Sequence, residues 1–119
     1  MSAPAETVGG VVIISPGEKR LTARTGLPAV RRVLDDAIRA GKRDVALDFS
    51  GLEFVDDATL DFLIDAFKSV HRNNGRLCVF GATEDLRELM ANTVIAHVVE
   101  IVSDRAAAIR VLKSKKWGL

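Results

Sequence analysis

Three short apolar runs constrain this chain more than any other feature: Val11-Val12-Ile13-Ile14, Val45-Ala46-Leu47-Asp48-Phe49 and Arg76-Leu77-Cys78-Val79-Phe80. A predominantly apolar run of this length, bounded by turn residues, reads as a strand buried in a sheet. Ser15-Pro16-Gly17, Ser50-Gly51 and Gly81 close them. Between them the period changes. Val30, Val33, Leu34, Ala37 and Ile38 recur at helical spacing, with Pro28 suited to a first turn and Gly41 to the position after the end. A second helix follows Asp56, with Leu60, Leu63, Ile64, Phe67 and Val70 as its inward stripe and Asn73-Asn74-Gly75 as its stop. Thr83 can cap a short third helix carrying Leu86, Leu89 and Met90, with Glu84 and Asp85 complementing its dipole. Val98–Val102 is read as a fourth strand, and Ser103-Asp104 as the opening of a last helix through Ala108, Ile109, Val111 and Leu112. Strands alternating with helices predict an α/β fold: a mixed, mostly parallel sheet of four to five strands flanked by about four helices.

The chain's 119 residues suit one domain. A chain of this size buries roughly two-thirds of its unfolded surface, enough for a core without staples. Boundaries are expected at 8–112, with a frayed segment over 1–7 and a basic tail over 113–119. A single cysteine cannot form an internal disulfide, which suits a reducing compartment. The first apolar run follows Glu6 rather than basic residues and is too short for a signal or a span. A soluble, cytoplasmic domain without membrane insertion is therefore expected. Seventeen Lys and Arg against sixteen Asp and Glu leave a formal charge of +1, which supplies no electrostatic reason to expect nucleic-acid binding.

The densest segment runs from Val45 to Leu60. A strand enters a polar loop, and the acidic pair Asp56-Asp57 opens a helix. Asp56 is a candidate N-cap, and Asp57 would sit in the first turn, where the macrodipole favours negative charge. Both can simply start a helix; alternatively, this helix start is a recognition surface. Asp61 and Asp65 follow on the outer face, ahead of Lys68 and Arg72. Like charges at that spacing cost a few tenths of a kcal/mol.

Leu47-Asp48-Phe49-Ser50-Gly51-Leu52, then Phe54-Val55-Asp56 and Leu60, resembles the central signature of STAS domains, a family that includes bacterial anti-sigma-factor antagonists. Pro16-Gly17-Glu18, Asn73-Asn74-Gly75-Arg76 and the stretch Val98–Ala108 extend the resemblance over residues 8–112. It implies a non-catalytic interaction module that needs no cofactor or metal. In the antagonists, a serine two residues after the motif aspartate is phosphorylated by the partner kinase, itself the anti-sigma factor, and the added charge repels that partner. Here that position is Ala58, preceded by Asp57 and followed by Thr59, while Arg20 stands where an acidic residue is usual.

Three readings follow. The module binds its partner without a phosphorylation switch; or Asp57 supplies a permanent charge, about half that of a phosphoryl group; or Thr59 acts as a shifted acceptor. Thr59 could instead fold its hydroxyl onto its own backbone. The expected partner-binding residues are Asp56, Asp57, Ala58, Thr59, Asp61 and Arg20. The expected partner is an anti-sigma factor of the serine-kinase type. Ala58 and Leu60 also match the STAS subunits of lipid-asymmetry ABC transporters, whose partner is an ATPase subunit. A homodimer is left open.

Enzyme readings fare worse. A phosphoaspartyl receiver would place its acidic pair after the first strand and a lysine at the end of the last. Gly17-Glu18-Lys19 lacks the rest of a phosphate-binding loop, so nucleotide binding has no motif behind it. Cys78 is read as a core residue, His71 as a helix-end residue and His97 as solvent-facing. The tail Lys113-Ser114-Lys115-Lys116-Trp117 is short for a lipid-binding basic cluster and is read as a helix end with Trp117 packed back.

Overall fold

A computed structural model describes residues 4–114. The apolar runs form the centre of a sheet. Strands β1 (Ala5–Val8), β2 (Val11–Ile14), β4 (Asp44–Asp48), β6 (Leu77–Phe80) and β7 (Glu100–Val102) lie side by side in that order. β1 pairs antiparallel with β2; every other neighbour is parallel, with Ile14 opposite Leu47 and Asp48 opposite Phe80. The fold is the α/β class expected, with five strands in the main sheet.

Side chains alternate across a strand, and this sheet uses both faces. Val12, Ile14, Val45, Leu47, Leu77 and Val79 face the larger core, built with helices α1 (Leu27–Arg39), α2 (Asp57–Arg72), α3 (Glu84–Ala91) and the short α4 (Ile95–Val98). Val11, Ile13, Ala46, Cys78 and Phe80 face the smaller core, closed by Ala108 and Leu112 of α5 (Arg105–Lys113). Covering on both faces is why the central strands read as continuous apolar runs rather than alternating ones.

Three expectations need correction. Residues 5–7, expected to fray, belong to β1. Gly9 and Gly10, at φ 57° and 89°, supply the left-handed two-residue turn that folds β1 back onto β2. The strand expected over Val98–Val102 begins only at Glu100, because Ile95–Val98 form an extra helical turn and the Val99 N–H donates to the Ile95 carbonyl at 2.8 Å. A second, two-stranded parallel sheet was not anticipated: β3 (Arg20–Leu21) pairs with β5 (Phe54–Val55), putting Arg20 opposite Phe54. Each of its strands is too short to show a period.

Gly75 marks a close approach. Its N–H donates to the Val70 carbonyl at 2.9 Å, closing α2. A Cβ there would collide with the Arg43 carbonyl, which is backbone and cannot swing aside. Gly75→Ala should therefore lower the unfolding free energy by at least ~2 kcal/mol in urea denaturation. A change within ~0.5 kcal/mol would show that the approach is looser than this.

Candidate functional site at the start of helix α2

Asp56 has the extended backbone of an N-cap, φ −101° and ψ 178°, and its Oδ1 accepts from the Thr59 N–H at 2.9 Å. Its other oxygen, Oδ2, accepts from the Ala23 N–H at 3.0 Å. The same carboxylate thus caps α2 and holds the loop that leads from β3 into α1. The Thr59 hydroxyl lies 2.6 Å from the Leu21 carbonyl and 2.9 Å from Asp56 Oδ1. It has one proton for two acceptors, and the shorter contact goes to the carbonyl. The small sheet supports the arrangement from below, with the Glu53 and Phe54 N–H groups both donating to the Lys19 carbonyl, at 2.7 and 3.2 Å.

These donors select the ionised carboxylate. The Ala23 N–H holds the Asp56 pKa below its usual value; partial desolvation opposes this, and the Thr59 amide and hydroxyl reinforce it.

Asp56, Asp57, Ala58 and Thr59 come together in the first turn, with Asp61 one turn further along. Their environments differ. Thr59 is fully buried at 0% exposure, Asp56 and Ala58 are half-buried, and Asp57 and Asp61 are exposed. Ala58 borders an open groove of about 650 Å³ between α1 and α2, which Ala23, Leu27 and Arg31 also line. Arg20 is exposed, with its guanidinium stacked over the Phe54 ring at 4.4 Å from the centroid. Among the described residues, Arg20, Asp57 and Asp61 make no ion pair. Phe54 is 42% exposed and is the site residue that sequence reasoning missed. It served only to mark the motif, whereas an aromatic between two loop acids already hinted at a surface role.

The acidic residues do not converge. Asp48, at the end of β4, accepts from the Ser50 N–H at 2.9 Å and the Ser15 hydroxyl at 3.3 Å, while Asp56 faces Ala23 and Thr59. Among the described residues no group of three His, Cys, Asp or Glu side chains could hold a metal ion. His97 is exposed, and His71 in the last turn of α2 stacks on Phe67 with centroids 5.5 Å apart. Lys113 ends α5, and Lys115, Lys116 and Trp117 lie outside the described residues. No helix among the described residues is long and apolar enough to cross a membrane.

This fold and this helix start define a STAS module: the STAS domain family model matches residues 2–108, and the chain belongs to that family. Solved structures agree at the level of fold. An anti-sigma factor antagonist from Mycobacterium paratuberculosis superposes with a TM-score of 0.81 at 16% identity, covering 95% of this chain and 94% of that one. An anti-sigma-factor antagonist (STAS) domain protein from Planctomyces limnophilus gives 0.76 at 18% identity, covering 96% and 100%. The phosphorylated Bacillus cell fate determinant SpoIIAA gives 0.70 at 17% identity, covering 92% and 99%. No protein of curated function matches the chain significantly.

Two outcomes follow from this geometry. Because folding lowers the Asp56 pKa, the native state binds fewer protons than the unfolded chain through the carboxylate range. The stability Asp56 confers is present above its unfolded pKa and is lost as pH falls through its folded one. Asp56→Ala should lower the melting midpoint at neutral pH, and its deficit against the wild type should shrink as pH is taken down through that range; a deficit that is constant with pH would argue against the ionised latch. Cys78, at 0% exposure, has its thiol pushed up to about 12, chiefly by burial and then by Glu100. It should resist alkylation in the folded protein at mildly alkaline pH and react at once in denaturant, as mass spectrometry would show.

Proposed function

We propose that the protein is a non-catalytic interaction module of the anti-sigma-factor-antagonist type, acting in the cytoplasm in transcriptional or stress signalling. It docks through the start of α2 on an anti-sigma factor of the serine-kinase type. The observation that carries the reading is the pairing of Ala58 with Thr59. Ala58 borders the groove without a hydroxyl to phosphorylate, and the adjacent Thr59 hydroxyl is buried against the Leu21 carbonyl, where a kinase cannot reach it without opening the helix start. The module is therefore not switched by phosphorylation at this turn. Exposed Asp57 is the fixed charge the partner meets, and Asp61 extends it. Arg20, raised on Phe54, supplies the cation at the neighbouring edge.

Fold and charge support docking over turnover. At the helix start the Asp56 carboxylate is already held by two backbone N–H donors, one on each oxygen, and such a carboxylate is a poor general base. After incubation with the serine-kinase anti-sigma factor and ATP, peptides covering 57–59 should carry no phosphate by mass spectrometry, and the complex should persist in ATP. Asp57→Arg should weaken that complex roughly tenfold. Stoichiometric phosphothreonine at Thr59 would overturn the unswitched reading, and an unchanged affinity would remove Asp57 from the interface.

A further inference from the structure

The outer face of α2 carries a charge order that its own chain does not use. Asp57, Asp61, Asp65, Lys68 and Arg72 are all exposed. At 100° per residue they fall within an arc of about 80°. The stripe is purely charged, with three acids followed by two bases. None of the five makes an ion pair among the described residues. Asp57–Asp61, Asp61–Asp65 and Lys68–Arg72 are like-charge neighbours at i,i+4, each mildly destabilising, whereas a helix face built only for solvent is better served by interleaved signs. The macrodipole accounts for Asp57 in the first turn and Arg72 in the last, but its effect fades before Asp61, Asp65 and Lys68.

Reversed on a second copy, this stripe sets opposite charges against each other at four of its five positions. The geometry points to a second copy of this chain as the occupant of this face: an isologous dimer in which two α2 helices lie antiparallel about a two-fold axis between Ile64 and Asp65. In that register Asp57 meets the partner's Arg72 and Asp61 the partner's Lys68, the symmetry repeats both pairs, and Asp65 lies beside its own copy at the axis, one like-charge contact against four opposite-charge ones. A formal charge of +1 leaves almost no overall repulsion between copies. Exposed ion pairs contribute little singly, so the association is weak, reversible and salt-sensitive. Where the docking reading above holds, the dimer covers Asp57 and Asp61. Self-association and partner binding then exclude each other, which gives a module without a phosphorylation switch a control set by its own concentration.

Sedimentation equilibrium of the full chain tests this without any partner. A monomer–dimer equilibrium is expected at low ionic strength, shifting to monomer as salt is added. Asp61→Lys and Lys68→Asp, both at exposed positions, should each weaken self-association roughly tenfold. The double swap Asp61→Lys/Lys68→Asp should regain wild-type association, because only this antiparallel register restores opposite signs across the axis. Circular dichroism melts should show all three variants folded. A protein monomeric at every concentration in low salt overturns the proposal, as does a double swap that stays as weak as the single ones. A monomer that still binds its anti-sigma partner would sink the dimer and leave the docking reading standing.

Discussion

Much of this structure hangs on the two oxygens of one carboxylate. Asp56 joins pieces of chain that are far apart in sequence: the loop at Ala23, the strand end at Leu21 through Thr59, and the first turn of α2. The parallel pairing of β3 with β5 brings these pieces into range, and the latch then sets where α2 begins relative to α1. The position of the groove beside Ala58 follows from that. A neutral group at 56 could still cap one N–H, but it would not hold two amides on opposite oxygens with a full charge.

The sheet sets the larger frame with a different economy. Four helices serve one face, and α5 alone closes the other through Ala108 and Leu112. The smaller core needs small residues where the helix rests, and Ala46 and Cys78 provide them. The buried thiol is thus a packing choice, and its raised pKa follows from the same desolvation that makes it a good filler. Because β2, β4 and β6 are sealed on both sides, chemistry is pushed out to the loops and helix starts at the strand ends.

What the sequence revealed tracks how strongly each element is determined by burial. β2, β4 and β6 are announced by their apolar runs, and α1 and α2 by their helical periods, although α2 buries Phe62 and Ala66 beside the expected Leu63 and Val70, while the expected Leu60, Ile64 and Phe67 are only half-buried. β1 is exposed along most of its length and carries no apolar run, so its segment reads as a frayed end. β3, β5 and α4 depend on tertiary hydrogen bonds, such as those to the Lys19 carbonyl, which leave no local period. At the site, the N-cap role of Asp56 was readable from its place before an apolar stripe. The depth of Thr59 was not, since a threonine in a first turn is equally able to face solvent. Arg20 could be placed beside the site, but its contact is the Phe54 ring rather than an acid, because strand register decides which side chains stack.

These depths change what the family motif can be taken to say. Asp56 and Thr59 are bound into the fold: one latches a loop, and the other fills a buried slot and satisfies a strand carbonyl. A helix that begins here in this way needs a capping carboxylate whatever its partner, so Asp56 speaks for fold before it speaks for function. Asp57, Ala58 and Asp61 reach the surface or the groove, and none of them holds the latch together. Substitution there costs the fold little and changes the surface directly. Departures from the family pattern at 57 and 58 therefore carry more functional meaning than the agreement at 56. An acid beside an alanine leaves a helix start whose one hydroxyl, on Thr59, is buried. Under the docking reading proposed above, control of that surface falls to whatever covers it.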